Sequence, residues 1–413
     1  MWESLNHLDI GADVSTPKLI SVDDHILEPG DLWKKYLPEK YRGSAPRLER
    51  LRGDFVGGPR GRWEEGDEGP WSDIWVFEDL KMPIIPGFAA AGKDQDAMAW
   101  EAMTYEDMRP GCFEQKARLI DMDAAGIQSS LSFPTFPRFC GQTFMERGSR
   151  ELGLACVQAY NDWMIDEWCA DAGYGRLIPL TLVPLWDPEL AAAEVRRCAA
   201  KGSHAVAFSE NPAALKLPSI HTRHWDPFFA ACEETDTVVN LHIGSSSTFP
   251  VTSFDAPRTV SLALTYQGSS HALADWLTSG VLERFGTLRM ALSEGQVGWM
   301  PFLLERMDRV WEERPVYGEL QNRITRSPSS YVPGRIFGCV FDDVIGLKLR
   351  SEIGMEQIMF EVDYPHGDST WPDSVAVFER NVAEAGLDEH EAYLLARGNA
   401  IRCYGLGRYG ITA

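Results

Sequence analysis

No run of 18 or more apolar residues occurs in the 413-residue chain, so no segment reads as a membrane-spanning helix. Basic residues are in the minority: 39 Lys and Arg stand against 61 Asp and Glu, a formal charge of −22. Nucleic acid and anionic membranes both require a basic face, so neither is an expected partner. There is no C-x-x-C pair. The eight cysteines, at positions 112, 140, 156, 169, 198, 232, 339 and 403, are widely spaced, most in apolar settings such as LACVQAY and FAACEE. They read as reduced core residues and not as a disulfide framework or zinc cluster. The opening, MWESLNHLDIGADVSTPK, has no basic segment leading into an apolar one. No secretory signal is therefore expected, and a cytoplasmic protein is. Repeats and low-complexity tracts are also lacking.

What is present is an alternation. Hydrophobic residues make up 44% of the chain and charged residues 24%, enough for a large core. Eight short apolar runs read as strands: 19–26, 129–135, 176–184, 204–210, 237–244, 289–295, 338–343 and 357–364. Amphipathic helical patterns fall between most of them, at 151–172, 188–201, 225–234 and 299–313. Eight β/α units predict an α/β fold of the (β/α)8 TIM-barrel type, forming one domain over residues 1–413.

One interval breaks the rhythm. The segment 43–112 carries the Gly- and Pro-rich stretches FVGGPRGRWEEGDEGPW and MPIIPGFAAAG, and reads as a long insertion after the first strand. It leaves the end of the strand where barrel active sites lie. Either it is a lid, with Trp63, Trp71, Trp75 and Phe77 roofing a pocket, or it is a packing extension or dimer arm.

Polar residues collect at the C-terminal ends of the expected strands. The first ends in Asp23-Asp24-His25, the fifth in His242, the sixth in Glu294, and the eighth in Asp363 followed by Tyr364-Pro365-His366. A barrel gathers these ends at one mouth. Asp23 and His25, two apart on a strand, point the same way. Two imidazoles and two carboxylates form a sensible ligand set for Zn²⁺, with Mn²⁺ or Fe²⁺ as alternatives, and leave positions open for water or substrate. His7, His204, His221, His224, His271 and His390 lack such neighbours and are assigned structural roles.

These motifs, in order, resemble the amidohydrolase superfamily. They are ISVDDHILEP (20–29), YEDMRPGCFEQKARLIDMDAAGI (105–127), PLWDPELAAAEVRRC (184–198), WDPFFAACEETDTVVNLHIGSS (225–246), SEGQVGWMPFLLERMD (293–308), FEVDYPHGDSTWP (360–372) and RGNAIRCYGL (397–406). The similarity is to the amidohydrolase-related branch, which includes aminocarboxymuconate-semialdehyde decarboxylase and the resorcylate and carboxyvanillate decarboxylases. It implies a (β/α)8 barrel, one metal ion at the C-terminal mouth held by Asp23, His25, His242 and Asp363, and a homodimer or homotetramer. Two positions depart from the family pattern. Asp23 stands where relatives have His or Glu, and Glu294 stands where the characterised decarboxylases have a catalytic histidine.

Two reactions suit such a site. In hydrolysis a metal-activated water attacks a small cyclic or aromatic substrate, Asp363 is the base, and Glu294 assists. In non-oxidative decarboxylation of an aromatic or unsaturated acid, Glu294 delivers a proton to carbon, provided burial keeps it protonated. An ionised Glu294 repels a carboxylate substrate, which favours hydrolysis. His366 is expected to orient the metal or Asp363. Phe133, Thr135, Phe136 and Trp299 are expected to shape an aromatic-friendly pocket, with Arg109 and Arg138 as cations for an anionic group.

Overall fold

The first strand, β1 (Leu19–Ile26), is buried at every position, which is what a strand covered on both faces requires. In the computed structural model, which describes residues 18–56, 62–93, 102–253, 255–313 and 320–412, four antiparallel strands come next. They are β2 (Arg47–Val56), β3 (Arg62–Glu65), β4 (Trp71–Phe77) and β5 (Leu80–Pro83), ordered β3-β2-β4-β5. The Gly- and Pro-rich interval is thus partly a sheet, with its glycines and prolines marking turns between short strands.

The parallel strands follow: β6 (Ile127–Pro134), β7 (Leu177–Ile178), β8 (Leu180–Thr181), β9 (Ala205–Ser209), β10 (Val238–His242), β11 (Met290–Ser293), β12 (Ile336–Val340) and β13 (Ile358–Phe360). They pair in the orders β1-β6-β7 and β13-β12-β11-β10-β9-β8. Pro179 separates β7 from β8; lacking an N–H, it breaks the ladder within what the sequence presents as one run. Backbone bonds from Asp363 N to Asp23 O (2.9 Å) and from His25 N to Tyr364 O (2.6 Å) set β1 beside the chain leaving β13. Helices such as Arg150–Trp163, Pro188–Ala200, Asp226–Glu234 and Met300–Glu313 occupy the connections. The result is a TIM-barrel-like α/β fold around one large apolar core.

Side-chain alternation along β4 explains how the inserted sheet is attached. Trp75 and Phe77 face inward: Trp75 lies edge-on to Trp33 (5.2 Å between ring centres) and tilted on Phe136 (4.9 Å), and Phe77 meets Phe136 and Phe144. Ile74 and Val76, on the opposite face, join Trp63 and Ala102 in a small second cluster. Trp71 is 59% exposed. All eight cysteines are buried and free. No described helix is long and apolar enough to cross a membrane.

Candidate metal centre

Strand ends converge as the spacing suggested. Period-two alternation on β1 turns Asp23 and His25 to one side, while Asp24 turns to the other and accepts hydrogen bonds from the Ser130 and Ser21 hydroxyls and the Tyr364 N–H. His242 closes β10, Glu294 follows β11, and Asp363 lies three residues beyond β13. His25 Nε2 lies 3.2 Å from Asp363 Oδ1, 3.4 Å from Glu294 Oε1 and 3.7 Å from Asp23 Oδ1. His242 Nε2 lies 3.0 Å from Glu294 Oε1 and 3.5 Å from Asp23 Oδ2. Two overlapping groups have the spacing to hold a cation: Asp23, His25, His242 and Glu294, and His25, Glu294, Asp363 and His366.

Glu294 and Asp363 both have left-handed backbones, with φ of 55° and 61°. Non-glycine residues rarely adopt that conformation.

The electrostatics call for a cation. His242 Nδ1 lies 2.6 Å from the Ile243 carbonyl, an acceptor only, so Nδ1 carries a proton and Nε2 faces the cluster. The Nε2 atoms of His25 and His242 are 3.2 Å apart. All four carboxylate oxygens of Asp23 and Asp363 are buried without a well-directed hydrogen-bond donor. Burial, reinforced by the Glu294 charge, pushes both aspartates well above the usual carboxylate range. Burial and the facing His366 hold His25 well below an ordinary imidazole. For Glu294 burial acts upward, but the charge and hydrogen bond of His242, with hydrogen bonds from His25 and His366, outweigh it and hold the carboxyl well below its usual value. The reverse holds at His242, where burial acts downward and Glu294 raises it. Buried acids without donors are costly unless a positive charge joins them, and two imidazoles with carboxylate oxygens suit a divalent transition metal. The residues present fit such an ion.

Surrounding groups hold the cluster in place. The fully buried Arg118 guanidinium donates to the His25 carbonyl (2.5 Å) and the Gly111 carbonyl (2.8 Å) and lies over the Tyr364 ring. Glu361, completely buried, accepts the Glu294 N–H (3.1 Å). Glu210 accepts the Gly244 N–H (2.9 Å) and the Ser246 hydroxyl (2.7 Å), bracing the loop behind His242. His366 stacks on His25 (3.7 Å between ring centres), and its Nδ1 lies 2.9 Å from Asp363 Oδ1.

A cavity of about 1040 Å³ opens from this cluster, with His242, Glu294 and His366 on its wall. Among the expected pocket residues Trp299 lines it. Phe133 does not: it packs beneath, edge-on to His242 at 4.9 Å and tilted to His25 at 6.0 Å. Thr135 and Phe136 donate their backbone N–H groups to the Glu28 carboxylate (2.9 Å each), and the Phe136 ring belongs to the Trp33–Trp75 cluster. The two candidate cations are diverted by nearer acids. Arg109 makes a bidentate pair with Asp121 (2.8 and 2.7 Å) above Trp371, and Arg138 pairs with Glu146 and Ser247. Trp63, Trp71, Trp75 and Phe77 do not line the cavity either; the inserted segment reaches it through Ile85, Gly87 and Phe88. His204, His221, His224, His271 and His390 are absent from the cluster and the cavity wall, and His7 lies outside the described residues. Sequence reasoning overlooked Phe139, whose ring stacks on His242 at 4.1 Å. Only its place on the loop after β6, three residues past Phe136, pointed to it.

Residues 62–406 match the family described as amidohydrolase. Among solved structures, the chain is similar to an amidohydrolase from Mycobacterium avium subsp. paratuberculosis K-10, at 21% identity and a TM-score of 0.68 over 94% of this chain and 99% of that one. It is also similar to IDCase of Metarhizium anisopliae (19%, TM-score 0.65, 96% and 99% covered). A third is a dihydroxybenzoic acid decarboxylase from Polaromonas sp. JS666 with bound manganese and the inhibitor 2-nitroresorcinol (15%, TM-score 0.58, 94% and 97% covered). At these identities the likeness establishes the fold.

Proposed function

The chain belongs to the amidohydrolase family, and from that premise we propose that it is a metal-dependent hydrolase acting on an ester, amide or lactone bond of a cyclic or aromatic molecule. We read the parallel strands as a closed (β/α)8 barrel, with 43–112 inserted after β1 as a packing element that lends one edge to the cavity. Asp23, His25, His242 and Asp363 hold one divalent cation, zinc first and manganese or iron as the alternatives. When bound, that ion supplies Lewis acidity, polarising a carbonyl and acidifying a water.

The chain's own residues complete the chemistry. Asp363, expected as the base, is buried and off the cavity wall. We therefore assign that role to Glu294, which lies on the wall within 3.0–3.4 Å of both imidazoles and would accept a proton from the attacking water and return it to the leaving group. His366 steadies Asp363 through Nδ1 and faces the substrate side. Phe139, flat against His242, keeps bulk water from that side of the imidazole, and Trp299 offers an aromatic wall.

The observation that carries this reading is the place of Glu294 on the cavity wall, its Oε1 3.0 Å from His242 Nε2 and 3.4 Å from His25 Nε2. Held there as a carboxylate, Glu294 can act as a proton acceptor and repels a carboxylate substrate. The second reading is a carboxy-lyase, supported by the likeness to dihydroxybenzoate decarboxylases over 94% of the chain. Assays on the metal-loaded enzyme separate the two. Hydrolysis of an aryl-ester and lactone panel without CO₂ release from 2,6-dihydroxybenzoate is the expected result. CO₂ release outpacing every hydrolysis would replace the first reading with the second.

A further inference from the structure

The cavity is too large and too apolar for a small ring alone. At about 1040 Å³ it lies at the top of the 300–1,000 Å³ range of pockets that bury whole drug-sized ligands. His242, Glu294 and His366 face it from the metal cluster, and Arg258, Thr265, Gln296, Asp342, Asp343 and Asp368 add polar groups elsewhere on the wall. The apolar part of the wall is formed by Phe139 and Phe88, beside His242 and His366, and farther out by Phe249, Leu262, Tyr266 and Trp299. Tyr266 and Trp299 lie nearly parallel, 27° apart. Leu262 is 64% exposed and Phe249 53%, and both open the cavity to solvent through the segment after β10. Two of the acids on this wall are already engaged: Asp342 pairs with Arg380 (2.8 Å), and Asp343 accepts the N–H groups of Val297, Gly298 and Gly346. Large exposed apolar side chains continuous with a polar reaction centre mark a binding surface and not a packing surface.

We infer that the substrate has two parts: a compact polar head that reaches the Glu294 cluster, and an extended, largely apolar or aromatic body that fills the outer cavity as far as Leu262 and Phe249. The hydrolase reading supplies the nature of the head; the body is inferred from the cavity alone. The net charge of −22 and the carboxylates near the head argue against polyanionic substrates such as nucleotide conjugates.

Two measurements on the metal-loaded protein test this. The first is fluorescence titration with the neutral apolar probe N-phenyl-1-naphthylamine, on wild type and on Leu262→Asp and Ala263→Trp. Both substitutions lie on the helix Arg258–Ala263, which has no buried residue, so the fold survives them. Micromolar binding by wild type, weakened about tenfold or more in each variant, is expected. The second is kcat/KM along a p-nitrophenyl ester series from acetate to octanoate. Each methylene buried should raise it by up to about fourfold. A probe that does not bind, or binds all three proteins equally, overturns the inference. Probe binding that responds to the variants while no ester is cleaved removes the esterase form of the hydrolase reading and leaves the apolar body standing. Ester cleavage that ignores chain length, with an indifferent probe, does the opposite.

Discussion

Glu294 shows how much of a site one residue type can reveal and how much it withholds. Its place after β11 was legible, because a carboxylate at a strand end beside other strand-end acids and imidazoles has few structural reasons to be there. Its contact with both imidazoles was not, because a left-handed φ at a non-glycine residue leaves no mark in the sequence. The same holds for Arg109 and Arg138, whose partners Asp121 and Glu146 lie 12 and 8 residues away and bind them first. Asp23, His25, His242 and Asp363 were legible together because D-x-H spacing on one strand fixes a shared face, and barrel topology supplies the other two. For Glu294→Gln we expect a loss of ~10²-fold or more in turnover, the scale of general acid–base catalysis, with metal content retained. Near-wild-type kcat would remove the proton-transfer role, and loss of metal would make Glu294 a ligand.

The same limits recur among the elements. Every expected parallel strand has an observed counterpart, since continuous apolar runs signal buried strands well. The antiparallel sheet inside 43–112 was not foreseen, because its strands are short and its Gly and Pro clusters dominate the pattern. Trp75 sits between Trp33 and Phe136, so Trp75→Ala should cost about 3–5 kcal/mol of stability, the scale of large core truncations, with little change in KM. Denaturant unfolding alongside steady-state kinetics checks this; a large rise in KM at unchanged stability would assign Trp75 to the lid instead. Glu28 ties the end of β1 to the loop after β6, and burial pushes its carboxyl from 4.5 up to about 7. Because the folded value is raised, the protonated form favours folding. That contribution is complete below pH 4.5 and is lost as pH rises through about 7. At 1.36 kcal/mol per pKa unit it reaches about 3 kcal/mol. Unfolding free energies at pH 4.5 and 8 should fall more steeply with pH for wild type than for Glu28→Gln, and equal slopes would show that Glu28 does not titrate in this range.

At the scale of the whole molecule, the fold brings together residues 340 positions apart, Asp23 and Asp363, through the pairing of β1 with the chain leaving β13. That pairing joins weak local signals from separate strand ends into one constellation, which is why the site was more legible than any single histidine. What the topology could not convey is the shape of the outer cavity, which depends on the loops after β10 and β11 and on the turn at Ile85–Phe88. The central claim is that this constellation holds one divalent cation. The most direct measurement is elemental analysis of purified wild type, His25→Ala and His242→Ala, each refolding-competent by circular dichroism. About one zinc, manganese or iron per wild-type chain is expected, and little or none in either variant, because each removes an imidazole from the ligand set. Full occupancy in both variants, or a fully active wild type free of metal after chelation, would contradict it.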